Sequence, residues 1–294
     1  MPKLKAIIAD FDNTLFDWFQ MWYKSSNAMI NKIVEISGIE NDTLLEEIRK
    51  VHQQYGTSEY SFLIQEIKAL TKNLNKKELL SKYAEAIKVY KFERKKNLKL
   101  YPKVRRTLNK LKSAEIQIVV YTESKDYYSK KRLKALKLDG IVDHIFFPKE
   151  KIKPGIKVDQ FRSRPQEEYT LQHTKIHLLP KDDKKPNPKT LTDILKKLSL
   201  EKEEVLFVGD SLMKDISMAN DAGVLSVWAK YGAHPNPEEY QLLQKVSHWT
   251  DQDIEREKEI RKRTDIRPDF VLENHFGEIL NHIKINSHGK QTLL

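Results

Sequence analysis

The sequence predicts an α/β protein with a doubly wound, mostly parallel sheet and an inserted all-α module. Two observations lead to this fold class. Short apolar runs alternate with helical segments through most of the chain, and the residues between the first and second runs are helical throughout. Alternation of this kind is typical of parallel sheets with helices on both faces. At 294 residues, the chain is long enough for one large domain and a smaller one.

A short apolar run at residues 4–9 predicts the first buried parallel strand. The residues Asp-Phe-Asp-Asn-Thr follow directly, at positions 10–14. Strand alternation sends the side chains of Asp10 and Asp12 to the same side, at the strand end where open α/β sheets bind ligands. Paired carboxylates imply either a metal ion or a raised pKa. The alternative is a strand that ends in a polar turn, where Asp, Asn and Thr are common.

The segment from residue 16 to residue 97 has apolar residues at three- and four-residue spacings and no strand pattern. Its predicted helices cover residues 18–37, 41–55, 58–71 and 76–95. Trp18 and Trp22 lie one turn apart on the first helix, and we expect them to pack inside the helical module. The sequence therefore predicts an α-helical cap at 16–97, inserted into an α/β core formed by residues 1–15 and 98–294.

Strands and helices alternate again after the helical segment. The predicted strands are 116–121, 144–147, 204–208, 225–229 and 269–272, and the predicted helices are 102–113, 129–136, 190–198, 213–222 and 276–285. Two stretches fit this alternation poorly. Residues 149–183 are basic and contain at most a hairpin of 168–172 with 175–179. Residues 234–267 contain Pro235-Asn236-Pro237 and then a charged run, 251–263, for which we expect a helix. We treat both as insertions in the core, since loops this long are usually functional or disordered.

Further polar residues accompany the strands predicted in the core. They are Thr122 after strand 116–121, Lys185 in a Lys-Pro-Asn-Pro segment before a helix, and Gly209-Asp210-Ser211 with Asp215 after strand 204–208. Taken singly, Thr122 and Asp210 have an ordinary explanation as helix caps. Lysine–proline pairs arise readily in a lysine-rich chain, and Lys153 precedes a second one. Their common position near strand ends predicts that these groups lie together with Asp10 and Asp12.

Phosphoryl transfer is the chemistry that needs these residue types together. One carboxylate attacks phosphorus, and a second protonates the leaving oxygen and later activates water. Oxygen ligands hold Mg²⁺, which neutralises the phosphate as the nucleophile approaches. A hydroxyl group and an ammonium group bind the remaining phosphate oxygens, where negative charge accumulates. The sequence contains a residue for each of these roles.

These motifs resemble the four motifs of the haloacid dehalogenase-like (HAD) superfamily. The resemblance covers residues 3–15 and, with gaps, residues 98–294, and the helices at 16–97 lie where that family inserts an α-helical C1 cap. It implies a Rossmann-like core and a hydrolase that uses Mg²⁺. Asp10 resembles the nucleophile that becomes an aspartyl-phosphate. Asp12 resembles the general acid/base, and its presence points to phosphatases or phosphomutases, since the dehalogenases of this family lack an aspartate there.

The remaining roles follow from the same resemblance. Thr122 and Lys185 resemble the phosphate-binding hydroxyl and lysine. Lys153 is the weaker candidate for that lysine, because one helix and one strand separate Lys185 from Asp210, as in the family. The implied metal ligands are Asp10, Asp12 (through its backbone carbonyl) and Asp210, and the implied supporting residues are Asp215, Ser211 and Thr14.

The chain is strongly basic, with a net charge of +11 and a pI near 9.4, so it attracts anions in general. The charge is concentrated in residues 88–112, which contain eleven lysines and arginines against one acid, Glu93. Interleaved aromatic residues fit a nucleic-acid surface. The simpler interpretation, which we favour, is a solvated helical face in a lysine-rich protein.

Composition also bears on location. The chain has no apolar run long enough to span a bilayer, and residues 1–9 lack the pattern of a signal peptide. The absence of cysteine weakly favours a reducing compartment. We therefore expect a cytoplasmic protein without a membrane anchor.

Together these observations predict a Mg²⁺-dependent phosphomonoesterase that works through an aspartyl-phosphate. A C1 cap suits small substrates, so we expect a phosphorylated metabolite such as a nucleotide or a sugar phosphate, and the aromatic and basic residues favour a nucleotide. One alternative is a phosphatase acting on nucleic-acid ends. Another is a non-catalytic nucleic-acid-binding or regulatory protein of the same fold, although such a protein has no need to keep costly clustered acids.

Overall fold

The computed structural model describes residues 3–149, 169–181, 183–233, 236–285 and 291–293. The chain forms two compact units. The sheet unit comprises Met1–Asp17, Lys99–His234 and Arg263–Leu294, and the helical unit comprises Trp18–Leu98 and Pro235–Lys262. The sequence analysis treats residues 234–267 as an insertion in the core, whereas most of this stretch lies in the helical unit. The exact bounds of core and cap stay a prediction.

The sheet unit is built on seven parallel strands. They are β1 (Ala6–Ala9), β2 (Gln117–Tyr121), β3 (His144–Pro148), β4 (Lys175–Leu179), β5 (Val205–Gly209), β6 (Leu225–Ala229) and β7 (Phe270–Leu272). Their order is β4-β3-β2-β1-β5-β6-β7, so the sheet grows outward in both directions from β1. The predicted doubly wound parallel sheet is confirmed. The central strands are fully buried, which explains their near-continuous apolar sequences.

Most helices of the described residues overlap predicted ones, and two helices lie in the predicted insertion 234–267. They are α1 (Trp18–Ser37), α2 (Asn41–Tyr55), α3 (Leu63–Glu66), α4 (Lys68–Thr71), α5 (Lys76–Lys82), α6 (Ala84–Asn97), α7 (Val104–Ser113), α8 (Asp126–Ala135), α9 (Pro188–Lys197), α10 (Ser217–Ala222), α11 (Pro237–Val246) and α12 (Asp251–Arg261). The third and fourth helices predicted in the cap are each divided in two, at Ile67 and at Tyr83. No helix in this part of the chain is both long and apolar enough to cross a membrane.

Two local predictions are wrong. The segment 175–179 does not close a hairpin: β4 pairs in parallel with β3, with His144 opposite Lys175. As an edge strand with two exposed apolar side chains, it extends the sheet rather than folding back. The predicted closing helix at 276–285 is a 3-10 segment, Phe276–His282, followed by β8 (Ile283–Ile285), which pairs antiparallel with β9 (Gln291–Leu293). The Ile-Lys-Ile alternation of β8 is typical of a strand.

The helical unit has its own apolar core, to which α1, α2 and α6 contribute. Trp22 is 1% exposed and stacks on Trp18 with the ring centroids 6.0 Å apart. The indole nitrogen of Trp18 donates to Glu59, and that of Trp22 donates to the Ser58 carbonyl, both at 2.9 Å. The expectation that the two tryptophans pack inside the helical module is confirmed.

Helix α11 joins this core although it follows β6 in sequence. Val246 is buried with the side chains of α2, and its carbonyl oxygen lies 2.6 Å from Nδ1 of His52. Gln53 Nε2 donates to the Trp249 carbonyl at 3.0 Å. These contacts explain why the second insertion belongs to the helical unit.

Candidate active site

A buried lysine links two carboxylates at the carboxyl end of β1. Asp10 directly follows this strand, and Lys185 stands just before α9. Lys185 Nζ donates to Oδ1 of Asp10 at 2.5 Å and to Oδ1 of Asp215 at 2.8 Å. The three residues are 8%, 4% and 2% exposed for Asp10, Lys185 and Asp215. An ammonium group this deeply buried is tolerated because both acids compensate its charge.

A third carboxylate completes an acidic cluster. One carboxylate oxygen each of Asp10, Asp210 and Asp215 lies within 4.8 Å of the others. Asp210 follows β5, and Asp215 lies in a turn of π-helix, Leu212–Ile216. Three carboxylates against one lysine leave the cluster negative. Hard oxygen donors at this spacing fit a divalent cation such as Mg²⁺ or Ca²⁺.

The electrostatics of the cluster favour added positive charge. Burial is the main cause that raises the pKa of Asp10, and the neighbouring acids Asp215 and Asp12 raise it further against the opposing effect of Lys185. Burial, Asp215 and Asp10 likewise hold the pKa of Asp210 well above its usual value. Burial alone would lower the pKa of Lys185, but Asp10 and Asp215 outweigh it and raise that pKa.

Asp12 occupies a separate environment from the acidic cluster. Its Oδ2 accepts a hydrogen bond from Ser124 Oγ at 2.5 Å, and its Oδ1 lies 3.3 Å from Nη1 of Arg132. Thr14, two residues further on, is buried, and its hydroxyl donates to Asp210 Oδ1 at 3.5 Å. The carboxylates of Asp10 and Asp12 therefore have different partners, which suits different chemical roles.

Thr122 and Ser211 make local hydrogen bonds near these groups. Thr122 is 1% exposed and lies two residues beyond Val120, which pairs with Ala9 of β1. Its hydroxyl accepts a hydrogen bond from the Ser124 amide at 3.1 Å. Ser211 caps the π-helical turn, because its Oγ accepts from the Lys214 amide at 3.2 Å. The roles that the sequence predicts for both residues stay predictions.

Close backbone approaches hold the acidic residues in place. A Cβ atom on Gly209 would lie 2.3 Å from Cγ of Asp215, so only glycine admits Asp215 to the cluster. A Cβ atom on Gly232 would lie 1.8 Å from the carbonyl oxygen of Asn13. In the sequence, Asn13 stands between Asp12 and Thr14. The Tyr231 hydroxyl donates to the carbonyl of Thr14 at 2.6 Å. The sequence around Gly232 does not reveal this contact, because nothing local distinguishes the segment from an ordinary turn.

A second ion pair borders the cluster. Lys214 Nζ donates to Oε2 of Glu123 at 2.8 Å, and the Lys185 amide donates to Oε1 of the same glutamate at 3.1 Å. Burial opposes ionisation of Glu123, but Lys214 and Lys185 together outweigh it and lower the pKa of Glu123. This glutamate therefore ties the segments after β2, before α9 and after β5 to one another. Lys153, the alternative lysine, lies outside the described residues.

The basic segment 88–112 is divided between the two units. Several of its cations have structural partners. Arg94 pairs with Glu59 at 2.7 Å, Lys112 pairs with Asp143 at 2.6 Å, and Arg105 donates to backbone carbonyls at the end of α8. These residues have roles within each unit that require no nucleic acid.

Comparison with known families places the chain in one of them. The family described as haloacid dehalogenase-like hydrolase matches residues 7–158, and a second description, HAD-hydrolase-like, matches residues 183–275. The chain belongs to the haloacid dehalogenase-like hydrolases. The resemblance seen in the sequence motifs is thereby confirmed, and the gap between the two matches falls inside the first predicted insertion.

The chain is similar to archaeal proteins that are named as phosphatases. It is 24% identical to the glyceraldehyde 3-phosphate phosphatase of Pyrococcus furiosus, over 80% of this chain and 84% of that protein. It is 26% identical to the protein of the same name from Methanopyrus kandleri, over 80% of this chain and 88% of that protein. The enzyme class predicted from the sequence, a phosphoric monoester hydrolase, agrees with the family and with these relatives.

Solved structures share the fold. A 2-haloacid dehalogenase from Pseudomonas syringae pv. Tomato DC3000 superposes with a TM-score of 0.53 at 16% identity, covering 95% of this chain and 97% of that one. The HAD-hydrolase YfnB from Bacillus subtilis, whose structure was determined bound to magnesium, gives a TM-score of 0.50 at 15% identity, covering 96% and 98%. These likenesses bear on the fold alone.

Proposed function

We propose that the chain is a Mg²⁺-dependent phosphomonoesterase that forms an aspartyl-phosphate on Asp10. The observation that carries this proposal is the cluster of buried Asp10 and Asp215 and half-buried Asp210 around Lys185 at the carboxyl end of β1. Neighbouring carboxylates destabilise a folded protein, but a phosphoryl-transfer site needs them as nucleophile and as metal ligands. Membership in a hydrolase family and similarity to named phosphatases support the same reaction class.

In the first half of the reaction, a carboxylate oxygen of Asp10 attacks phosphorus. The bond between phosphorus and the leaving oxygen breaks, and Asp12 gives its proton to that oxygen. Lys185 holds Asp10 through Oδ1 and thereby orients the carboxylate for attack. Thr122, at the end of the neighbouring strand, is the hydroxyl that we assign to a phosphate oxygen.

In the second half, Asp12 takes a proton from a water molecule that attacks the aspartyl-phosphate. The new bond joins the water oxygen to phosphorus, and the bond between phosphorus and Asp10 breaks with its electron pair returning to the carboxylate. The acid of the first half is thus the base of the second.

Asp10, Asp210 and the backbone carbonyl of Asp12 would hold Mg²⁺, with Asp215, Ser211 and Thr14 in support. The acidic cluster has the hard oxygen donors that Mg²⁺ prefers, and its excess negative charge suits a divalent ion. When bound, the ion neutralises charge on the phosphate and on the nucleophile.

We assign the substrate to the small phosphorylated metabolites. The two archaeal relatives are named for glyceraldehyde 3-phosphate, which favours a sugar phosphate over the nucleotide favoured by composition alone. Within the basic segment, the structural partners of Arg94, Arg105 and Lys112 weaken the argument for nucleic-acid ends.

A phosphate-release screen tests this proposal. The panel contains triose and hexose phosphates, nucleoside monophosphates and oligonucleotides phosphorylated at either end, each assayed with Mg²⁺ and with a chelator. We expect Mg²⁺-dependent release that is fastest with a small sugar phosphate and is lost in Asp10→Asn. Equal release by Asp10→Asn would remove Asp10 as the nucleophile. Preference for the oligonucleotides would support the alternative substrate class.

A further inference from the structure

Arg132 is a fully buried arginine whose charged end lies beside Asp12. It is located on α8 and is 1% exposed. Its Nη1 lies 3.3 Å from Asp12 Oδ1 and 3.0 Å from Ser124 Oγ, while Ser124 Oγ donates to Asp12 Oδ2 at 2.5 Å. Each carboxylate oxygen of Asp12 thus faces a donor, and the two donors also contact each other.

The surroundings of Arg132 leave its guanidinium little freedom. The group lies over the rings of Phe16 and Tyr128, with its carbon 5.5 Å and 5.2 Å from the two ring centroids. Ser129, one turn before Arg132 on α8, donates to the backbone carbonyl of Ser124 at 2.8 Å. Helix α8 therefore holds both donors that face Asp12, and the aromatic rings fix the plane of the guanidinium.

We propose that Arg132, acting with Ser124, is a positioning residue for Asp12 in the hydrolysis of the aspartyl-phosphate. The proposal rests on the proposed function and adds a residue that none of the four sequence motifs contains. Both neighbours donate hydrogen bonds to the Asp12 carboxylate, so they fit a side chain that accepts a proton. That is the role of Asp12 in the second half of the reaction.

The first half depends less on this arrangement. There Asp12 starts as a neutral carboxyl group, which still accepts hydrogen bonds but accepts them more weakly than a carboxylate does, so the two donors stabilise it less. A substrate such as p-nitrophenyl phosphate, whose leaving group departs without protonation, reduces this contribution further. Loss of Arg132 or Ser124 is therefore expected to slow the breakdown of the phosphoenzyme much more than its formation.

Single-turnover kinetics separate the two steps. We would mix Arg132→Gln, Ser124→Ala and the wild type with radiolabelled p-nitrophenyl phosphate and Mg²⁺. The release of p-nitrophenolate follows formation of the phosphoenzyme, and acid quenching at intervals follows its decay. We expect decay to slow by about tenfold or more in both variants, and formation to change by less than about twofold.

Lys131→Gln is the matched control, because Lys131 is the exposed neighbour of Arg132 on α8; it should leave both rates unchanged. Circular dichroism and thermal unfolding report whether each variant folds. If Arg132→Gln does not fold, Ser124→Ala alone decides, since it leaves the buried arginine in place.

Equal slowing of both steps, or slowing of neither, would overturn the positioning role while leaving the proposed function intact. If the wild type forms no acid-stable phosphoenzyme, or if Asp10→Asn also forms one, the proposed function and this inference fail together.

Discussion

Lys185 Nζ lies 2.5 Å from Oδ1 of Asp10, and both side chains are almost completely buried. The same nitrogen lies 2.8 Å from Oδ1 of Asp215. The lysine therefore donates directly to two of the three acids and acts on the third, Asp210, only through space. One ammonium group against three carboxylates makes the cluster sensitive to any change of charge.

Replacing Lys185 by methionine should destabilise the protein and abolish activity. The substitution keeps most of the side-chain volume but leaves Asp10 and Asp215 buried without their cation. Removal of one partner from a buried pair typically costs about 3–5 kcal/mol, and loss of the ammonium group that orients Asp10 should lower kcat at least about 100-fold. Urea unfolding and phosphate release measure the two effects. Lys189→Gln, at an exposed position on α9, is the control and should change neither.

Magnesium should stabilise the wild type and should have little effect on Asp210→Asn. A ligand that binds only the folded state at a hundred times its Kd adds about 2.7 kcal/mol. In the presence of a chelator the order should reverse, with Asp210→Asn at least as stable as the wild type, because one of three neighbouring carboxylates has become neutral. Thermal unfolding of both proteins, with Mg²⁺ and with chelator, measures the two predicted differences in stability. Equal stabilisation of the two proteins by Mg²⁺ would remove Asp210 from the metal site.

Gly209→Ala should displace Asp215 from the acidic cluster. The new Cβ atom would lie 2.3 Å from Asp215 Cγ, which no side-chain or backbone contact tolerates. We expect a loss of about 1–3 kcal/mol in stability and a large loss of activity. Gly277→Ala is the control, since its Cβ atom would come no closer than 3.2 Å to Cβ and Cδ of Lys103. If both variants behave alike, the packing of Asp215 on Gly209 is not required.

His52 should make the helical unit less stable in acid. Burial lowers the pKa of His52 to about 4, against the opposing effect of the Val246 carbonyl. The unfolded chain protonates this histidine near its ordinary pKa, whereas the folded chain does so only at lower pH. At neutral pH the histidine is neutral in both states, so the folded protein keeps its full stability there. That stability falls as the pH decreases from about 6.5 toward 4. The free energy of unfolding should therefore be about 2 kcal/mol lower at pH 5 than at pH 8 because of this histidine.

A His52→Gln variant isolates that effect. Glutamine can still donate a hydrogen bond toward the Val246 carbonyl but does not titrate. Urea unfolding at pH 8 and at pH 5 measures the free energy of unfolding of both proteins. Between these pH values, the variant should lose about 2 kcal/mol less than the wild type. The same loss in both proteins would show that other groups account for the acid sensitivity.

Much of the candidate site is predictable because its residues follow apolar strands. Asp10, Thr122 and Asp210 come directly after β1, β2 and β5, and these strands are neighbours in the sheet. Parallel strands bring such residues to one edge whatever the intervening sequence. The acidic cluster and its lysine therefore follow from strand positions and residue types, while the catalytic roles stay predictions.

Contacts between distant segments, near the candidate site and within the helical unit, were not predictable. Arg132 and Lys131 are adjacent basic residues on one helix, and only the packing of α8 decides that one is buried and the other exposed. Gly232 contacts Asn13 from a distant part of the chain. Helix α11 contacts α2 through Val246 and His52, which lie far apart in the sequence. Each of these is a contact between distant segments, which local periodicity does not encode.

The most direct test of the account is to locate phosphate on the protein itself. The wild type and Asp10→Asn would be mixed with a radiolabelled substrate and Mg²⁺, quenched in acid and digested. We predict label on the wild-type peptide that contains Asp10, sensitive to hydroxylamine as an acyl phosphate is, and no label on the variant. Phosphate release by a wild type that never carries label, or label elsewhere in the chain, would contradict the aspartyl-phosphate at Asp10.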